Sequence, residues 1–415
     1  MKMMSHTLKI VERFIGTRLR KIIRVSGNQC GFVEGKSTID AIQGVRILME
    51  KHRDASADLH LVLIDFEKAF DRVPRDLIWT ALRARKVPET YVKMIQDMYE
   101  GSRTRVKCTT GVTEVFPIKV GVHQGSVLSP LLFIVPLDYL LESLEEEPNV
   151  HQFLFADDGG LVSSDVVALQ RVLDGWSDVL EGNGYRISDK KTEHLFCPFS
   201  DPEQPVPDIY LHEKVLPKCD KFKYLGSKIN KNADCEDDVN HRISVGWMKW
   251  RENSAIFCDP KIPLRLKGRM HNSVVRPGLS YGAQSWTMYK AYETKLNAAE
   301  MKMLRMAAGV TKRDRIRSTR IRKSLHVKNT IIEKIENDRL NWYCHIQRRD
   351  PDNPVKKAIS VDVPIQRRKK GRPKHSWMNQ MKKRQQQLGL DDQTIQDRQA
   401  CRRVTRSQRT ANLIC

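Results

Sequence analysis

The chain has 415 residues, of which 40% are hydrophobic and 29% charged, so it can bury a large core in two or three domains. No apolar run reaches the length of a membrane span, and the N-terminus lacks a signal-peptide pattern, which argues against membrane and secreted proteins. The 9 cysteines include no Cys-x-x-Cys pair, which argues against a zinc knuckle, and their odd number indicates reduced thiols in the nucleus or cytoplasm.

The net charge of +22 is concentrated at one end of the chain. Residues 301–415 contain 30 Lys and Arg against 10 Asp and Glu, whereas the first 300 residues contain 42 basic and 40 acidic residues. Such a block predicts a surface that binds a polyanion, and nucleic acid is the polyanion we expect. The alternative is a solvated basic tail with no binding role.

Near the N-terminus the sequence predicts a helix, a loop and a second helix. Apolar residues at helical spacing run from Leu8 to Ile23 among basic residues, which is typical of an amphipathic helix. The loop at residues 29–36 contains two glycines, and Ser37 or Thr38 is suited to begin the next helix. Its Gly-x-x-x-Gly-Lys-Ser sequence is one residue shorter than a P-loop and follows no strand, so we reject a nucleotidase function for it.

Two short apolar runs each end in acidic residues. Residues 61–64 lead into Asp65, and residues 153–156 lead into Asp157 and Asp158. Acids gathered at one site repel each other unless cations lie between them, and oxygen ligands alone suit Mg²⁺. Three acids on neighbouring strands therefore predict a two-metal site that activates an attacking hydroxyl and stabilises a phosphoryl group in transfer. The alternative for Asp-Asp after an apolar strand is a plain turn.

The remaining segments alternate between helices, hairpins and loops. The patterns predict helical residues at 74–100, a hairpin at 106–120, a flexible loop at 121–126 and a buried helix begun by Ser129 and Pro130. A helix at 166–180, a short strand at 194–196 and a strand with its turn at 221–226 follow, and the chain is predicted to be helical beyond about residue 235. Part of the polar, basic segment after residue 364 is predicted to be disordered.

Five blocks, in the same order and at compatible spacing, resemble a reverse transcriptase, and more narrowly the polymerase of non-LTR retrotransposons. They are Asp65 with Phe70, the His-Gln-Gly-Ser-x-Leu-Ser-Pro segment from residue 123, Phe-Ala-Asp-Asp at 155–158, Lys-Thr-Glu at 191–193 and Tyr-Leu-Gly at 224–226. Residues 29–41 resemble the fingers of that family, and blocks at 280–286, 304–305, 340–345 and 371–377 resemble its thumb and basic C-terminal region. The resemblance implies an RNA-directed DNA polymerase whose partners are an RNA template, a DNA primer and dNTPs, with no membrane.

The resemblance also implies an α+β fold of the right-hand polymerase type. Residues 1–232 would form the palm and partial fingers, 233–310 a helical thumb, and 311–415 a basic helical extension that is partly disordered. The basic strands that normally precede the first helix are absent. We therefore expect an N-terminally truncated polymerase without an endonuclease domain.

Within the resemblance, the acids and one aromatic residue take defined roles. Asp65 and Asp157 would bind two catalytic Mg²⁺ ions, for which Mn²⁺ is an alternative, with Asp158 as the third acid and the backbone of Phe66 as a further ligand. Phe70 would be the steric gate, whose ring occupies the space that a ribose 2′-hydroxyl needs. The alternative for Phe70 is a core aromatic residue beside a strand.

Other residues would contact the nucleotide and the primer. Gln124 and Gly125 would line the incoming nucleotide and the template, where glycine permits close backbone approach. Lys191 would face the triphosphate, with Lys190 as an adjacent competitor. His123 stands where the family usually has arginine, so we expect a weaker or pH-dependent phosphate contact. The hairpin that grips the primer end would include Tyr224, Leu225 and Gly226.

The basic run near the C-terminus supplies the predicted nucleic-acid contacts, Arg367, Arg368, Lys369, Lys370, Arg372 and Lys374. Its Gly-Arg-Pro core resembles an AT-hook, which places an extended arginine in a narrow minor groove, although general phosphate binding is the main expectation. Such runs also serve as nuclear localisation signals. Trp377 lies next to these basic residues in the sequence, and its indole is predicted to stack on bases.

Two alternatives to a working reverse transcriptase stay open. The first is a domesticated or relic protein that binds nucleic acid through a catalytically silent site. The second is an RNA-templated RNA polymerase built on a similar palm.

Overall fold

The structure is a computed structural model that describes residues 5–201, 203–365 and 375–411, with side chains up to residue 404. The chain divides into two compact units. The first consists of Met1–Ala41 and Asp58–Cys219, and the second of Ile42–Ala57 and Asp220–Cys415. The three-part division into residues 1–232, 233–310 and 311–415 stays a prediction.

The first unit contains seven helices among its described residues if α2, which continues into the second unit, is included. They are α1 His6–Ile22, α2 Thr38–Ala55, α3 Ala69–Arg72, α4 Arg75–Ala84, α5 Glu89–Tyr99, α6 Ser129–Leu141 and α7 Val166–Gly182. Its strands are β1 Leu59–Asp65, β2 Arg103–Thr104, β3 Lys107–Cys108, β4 Gly111–Val112, β5 Phe116–Pro117, β6 His151–Phe155, β7 Asp158–Ser163, β8 Glu193–Cys197, β9 Tyr210–Leu211, β10 Lys214–Val215 and β11 Lys218–Cys219.

Five of these strands form the central sheet, in the order β11-β8-β1-β7-β6. All neighbours are antiparallel except β11 and β8, which are parallel. Strand β1 is buried from Leu59 to Ile64, because a strand in the middle of a covered sheet meets protein on both faces. The apolar run that predicted this strand is thus explained by its central position.

Helices α6 and α7 pack in the hydrophobic core of this unit. Helix α6 is buried almost all round, as its apolar sequence predicts, whereas α7 buries only one face. Ser129 begins α6, as the sequence predicted, but its side chain does not cap the helix. Instead, the Oγ of Ser126 accepts hydrogen bonds from the backbone N–H groups of Leu128 and Ser129, at 3.1 and 3.3 Å.

The second unit is mainly helical. Its helices are α8 Glu236–Glu252, α9 Ser254–Cys258, α10 Leu264–Met270, α11 Arg276–Ser280, α12 Lys290–Ala307, α13 Ser318–Ser324, α14 Ile331–Gln347, α15 Pro354–Ser360, α16 Trp377–Gln387, α17 Asp392–Gln396 and α18 Arg398–Ala411. A π-helical turn at His271–Val275 joins α10 to α11, and the two strands are β12 Lys221–Tyr224 and β13 Ser227–Asn230. No helix within the described ranges has both the length and the apolar character needed to cross a membrane.

Two buried carboxylates organise the second unit. Asp238 on α8 is paired with Arg46 at 3.0 Å, and Glu300 on α12 is paired with Arg276 and Arg322, both at 2.7 Å. Neither carboxylate is exposed to solvent. Since a buried charge is tolerated only when it is paired and hydrogen-bonded, each acid fixes the segments that carry its partners.

Candidate active site

The fold brings the three predicted acids together at one end of the strands of the central sheet. Strand β1 ends at Asp65 and β7 begins at Asp158, and the antiparallel register places these two residues opposite each other. Asp157 lies with Ala156 in the tight turn between β6 and β7, which we call the acidic turn. Ala156 has a φ of 57°, a left-handed conformation that is uncommon for a residue other than glycine.

Negative charge is crowded at this end of the strands, and the pKa values of the acids reflect it. Burial raises the pKa of Asp158 to about 6, and the neighbouring charges of Asp157 and Asp65 add to the rise. Burial also raises the pKa of Asp157, with a further contribution from Asp65. The Nζ of Lys191 donates a hydrogen bond of 3.0 Å to Oδ1 of Asp65, and this bond raises the pKa of the lysine. Lys191, rather than its neighbour Lys190, therefore pairs with an acid of the site.

The chemistry of these ligands suits a hard divalent cation. The site offers carboxylate oxygens without histidine or cysteine, and the repulsion between the acids would be relieved by a positive ion. In the part of the chain that the structure describes, no group of three or more His, Cys, Asp or Glu side chains is already arranged to hold a metal. The ammonium group of Lys191 currently supplies the positive charge beside Asp65.

Phe70 lies on the short helix α3 that follows β1. Its ring stacks on Phe133 of α6, with centroids 4.6 Å apart and planes at 15°, and meets the edge of Phe32 at 6.3 Å. Its carbonyl accepts a 2.9 Å hydrogen bond from the backbone N–H of Val122, which ties α3 to the next loop. Phe70 is only half-buried, so its ring packs on the core and is also partly exposed to solvent.

Gln124 and Gly125 are exposed on the loop that precedes α6. Gly125 has a φ of 89°, which explains why glycine is needed there. The Nε2 of Gln124 donates a 3.1 Å hydrogen bond to Asp71, and the end of the loop is held by Glu12 of α1. The two carboxylate oxygens of Glu12 accept hydrogen bonds of 2.8 Å from the hydroxyl of Ser126 and the N–H of Val127.

His123 packs against an aromatic ring instead of standing alone in the loop. Its imidazole stacks on Tyr99, with centroids 4.2 Å apart, and the guanidinium of Arg75 lies 4.9 Å from the centroid of the same ring. Ser102 is a further polar neighbour, at 3.4 Å from Nε2. The expectation of a pH-dependent phosphate contact at His123 stays a prediction.

Tyr224, Leu225 and Gly226 form the end of the β12–β13 hairpin in the second unit. Leu225 and Gly226 have φ values of 48° and 82°, the pattern of a two-residue turn in which both residues are left-handed. The hydroxyl of Tyr281 donates a 2.8 Å hydrogen bond to the carbonyl of Leu225, and Arg242 donates one to the carbonyl of Gly226. This turn is therefore held in a single conformation.

Asp238 fixes the turn end of the same hairpin, and sequence reasoning missed it. Its carboxylate accepts hydrogen bonds from the N–H of Lys228 at 3.0 Å and from Nε1 of Trp286 at 2.8 Å, besides those from Arg46 and the Ser227 hydroxyl. The sequence shows only an acid in the first turn of a helix. The nearest signal was the thumb-like block at 280–286, which contains Trp286.

The predicted contacts at Arg367, Arg368, Lys369, Lys370, Arg372 and Lys374 lie outside the described residues. Trp377, which follows them, is fully buried, so the suggestion that it stacks on bases is wrong. Its Nε1 donates to the carbonyl of Gln284 at 2.7 Å and its backbone N–H donates to Glu50 at 2.9 Å. An indole whose only polar atom is bonded inside the protein serves packing.

Comparison with known proteins identifies the class to which this fold and site belong. Residues 1–229 match the model of the family "Reverse transcriptase (RNA-dependent DNA polymerase)", which is more than half of the chain. The chain belongs to this family, and its fold is the α+β right-hand polymerase fold that the sequence predicted.

The relatives come from retrotransposons. The probable RNA-directed DNA polymerase from transposon X-element of Drosophila melanogaster is 23% identical over 394 residues, which cover 88% of this chain and 41% of the relative. The polyprotein of element R2DM from the same organism is 28% identical, with 54% of this chain and 22% of the relative covered. These relatives confirm the resemblance to non-LTR reverse transcriptases, and the chain spans less than half of their length.

Among solved structures, apo telomerase from Candida tropicalis is similar with a TM-score of 0.46 and 14% identity. The similarity covers 85% of this chain and 59% of the telomerase chain.

Proposed function

We propose that this chain is an RNA-directed DNA polymerase, in which the 3′-hydroxyl of a DNA primer attacks the α-phosphate of a dNTP and pyrophosphate leaves. The observation that carries the proposal is the convergence of Asp65, Asp157 and Asp158 at one end of the strands, with Lys191 bonded to Asp65. We infer a nuclear or cytoplasmic location from the odd number of cysteines, which suits a reducing compartment.

The acids would hold two Mg²⁺ ions, or Mn²⁺ in their place. Asp65 and Asp157 would be the principal ligands, with Asp158 as the third acid and the backbone of Phe66 as an additional oxygen donor. When bound, the ions supply a lowered pKa for the primer hydroxyl and positive charge for the phosphoryl group in transfer. The raised pKa of Asp158 supports this role, because a cation at the site would remove the repulsion that contributes to the rise.

Lys191 would stabilise the leaving group. Its ammonium remains charged near neutral pH, since its hydrogen bond to Asp65 raises the pKa of the lysine. The side chain is 66% exposed and can swing from Asp65 toward a triphosphate. Negative charge that develops on the pyrophosphate would then meet the ammonium group of Lys191.

Phe70 would select deoxynucleotides by size. Its ring cannot retreat into the core, because Phe133 stacks on it face to face at 4.6 Å. A ribose 2′-hydroxyl placed against this ring would overlap it, whereas the hydrogen of a deoxyribose would not. Gln124 and Gly125, exposed on the neighbouring loop, would contact the incoming nucleotide and the template.

The primer and template would be bound partly by the second unit. The rigid turn of Tyr224, Leu225 and Gly226 would grip the primer end, and the run of basic residues at 367–374 would bind phosphates. Within the described residues, further exposed cations support nucleic-acid binding: Lys312, Arg313, Arg315, Arg317, Arg320, Lys323 and Lys328. Only one acid, Asp314, lies among them, and it is hydrogen-bonded to Thr311.

A primer-extension assay with an RNA template, a DNA primer, dNTPs and Mg²⁺ tests the proposal. Asp157→Asn should abolish extension while template binding is retained, and Asp178→Asn, a change of an exposed acid on α7, should leave both unchanged. Tight binding without extension by the unmutated chain would favour the catalytically silent alternative. Equal incorporation of ribonucleotides by the unmutated chain would contradict the role of Phe70 and favour an RNA polymerase.

A further inference from the structure

The segment at residues 28–32 lies directly against the acidic turn of the first unit. Gln29 forms a parallel bridge with Leu154 on β6, the strand at the edge of the central sheet. The N–H of Cys30 donates to the carbonyl of Leu154 at 2.7 Å, and the N–H of Leu154 donates to the carbonyl of Asn28 at 3.0 Å. The outermost strand, β6, is therefore paired with a segment that lies more than 100 residues earlier in the chain.

The side chain of Gln29 continues this contact into the acidic turn. It is fully buried, and its Oε1 accepts hydrogen bonds from the N–H of Ala156 at 3.0 Å and from the N–H of Gly31 at 2.7 Å. Ala156 is the residue immediately before Asp157, and it is the one with the left-handed φ of 57°. A left-handed conformation is unfavourable for a residue with a Cβ, so it persists only where neighbouring bonds hold it.

Gly31 makes this close approach possible. A Cβ atom at position 31 would lie 2.3 Å from the backbone N of Ala156 and 2.8 Å from the carbonyl carbon of Phe155. Both of these atoms belong to the main chain and cannot move aside without shifting the turn itself. The two segments are consequently in backbone contact, and any movement of one is transmitted to the other.

A role in packing alone does not explain the amide of Gln29. Its Nε2 has no hydrogen-bond partner among the described residues, although it is buried. A buried donor without a partner is destabilising, and an apolar side chain of the same length would avoid that cost. What such a side chain would lack is the oxygen that binds the two N–H groups. A buried side chain that keeps a donor without a partner departs from the usual rules of packing, and such departures are expected where a residue serves a function.

We propose that Gln29 is a positioning residue for catalysis, which fixes the acidic turn so that Asp157 faces Asp65. The inference rests on the proposed polymerase function and adds a residue that contacts neither metal nor substrate. Gln29 acts through the backbone of Ala156. If the bond is lost, Ala156 can relax from its left-handed conformation and Asp157 turns away from the position that catalysis requires.

Three variants of the full chain test the proposal. Gln29→Met keeps the length of the side chain and removes the acceptor, whereas Gln29→Glu keeps an oxygen acceptor for the two N–H groups. Gln43→Met is the matched control, because Gln43 is also a fully buried glutamine but its side-chain oxygen and nitrogen have no hydrogen-bond partner in the described part of the chain. The control should behave like the unmutated protein in activity.

Primer extension gives the first readout. Gln29→Met should lower kcat by about 10²-fold, the loss expected for a misplacement of about 1 Å, while KM for dNTP and the affinity for the RNA–primer duplex stay unchanged. Gln29→Glu should recover part of this loss. An unchanged kcat in Gln29→Met, or a loss of the same size in Gln43→Met, would overturn the proposal.

Hydrogen exchange gives a second readout that does not depend on activity. Gln29→Met should lose protection of the Ala156 amide, with the rest of β6 and β7 still protected. If the unmutated chain shows no extension, the proposed function fails, but the exchange of this amide still decides the role of Gln29. Unaltered protection of Ala156 in Gln29→Met would refute the role in either case.

Discussion

Glu300→Gln is the substitution that should destabilise the second unit most clearly. Glu300 is not exposed to solvent, and its two oxygens receive Arg276 and Arg322 at 2.7 Å, the N–H of Ile331 at 3.1 Å and Nε2 of His271 at 3.4 Å. The neutral amide would leave two nearly buried guanidinium groups without their counter-charge. Removing one partner of a buried ion pair costs about 3–5 kcal/mol, and we expect a loss of unfolding free energy in this range.

The loss of stability in Glu300→Gln should depend on pH. Burial tends to raise the pKa of Glu300, but the hydrogen bond from His271 and the charges of Arg276 and Arg322 outweigh it and hold this pKa well below its usual range. A carboxylate with a lowered pKa stabilises the fold above its unfolded pKa of about 4, and the stabilisation is lost as the pH falls toward the folded value. The difference between Glu300 and the glutamine variant should thus be constant at neutral pH and shrink below about pH 4.

Urea unfolding followed by circular dichroism and tryptophan fluorescence measures the effect. Glu293→Gln is the control on the same helix, because Glu293 is partly exposed and its ion pair is with the fully exposed side chain of Lys290. Its stability should be close to that of the unmutated chain. A loss below about 1 kcal/mol for Glu300→Gln, or a loss that does not diminish in acid, would refute the reasoning.

Three further predictions concern the site and the hairpin. Phe70→Ala should lower the preference for dNTP over rNTP by about 10- to 100-fold in primer extension, and an unaltered preference would contradict the gate. Asp158→Asn should raise the melting temperature of the metal-free protein at pH 8 but not at pH 4, because the pKa of about 6 means that Asp158 carries its repelled charge only above that pH. An equal change at both pH values would be inconsistent with repulsion. Asp238→Asn should destabilise the second unit by about 3–5 kcal/mol in urea unfolding, since it leaves Arg46 buried without its counter-charge, and a loss within error would contradict this.

The sequence predicted the elements whose local pattern is unambiguous. The apolar run before Asp65 is strand β1, and the run before Asp157 and Asp158 is strand β6 with its turn. Strand β1 was accessible because a central, buried strand requires uninterrupted apolar residues, and β6 because its short apolar run ends in two conspicuous acids. The same local pattern does not identify the ion that the acids would bind.

The polar residues that hold these elements in place were not accessible from the sequence. Asp238 bonds to Arg46, nearly 200 positions away, and Glu300 bonds to groups on three separate segments. A buried acid with distant partners has the same local sequence as an exposed acid on a helix surface. Its role is decided by which segments meet in the fold, and periodicity contains no information on that.

The N-terminal residues matter for the same reason, although they supply none of the reacting groups. Glu12 accepts a hydrogen bond from the N–H of Val127 in the loop of Gln124 and Gly125, and Gln29 accepts one from the N–H of Ala156 in the acidic turn. Each loop that carries the proposed chemistry is therefore fixed, through a main-chain N–H group, by a buried oxygen from the first 30 residues. A side-chain acceptor that binds the main chain constrains backbone geometry whatever side chains the loop presents. The geometry of the acids consequently depends on Gln29, which sequence reasoning had matched only to a block of the fingers.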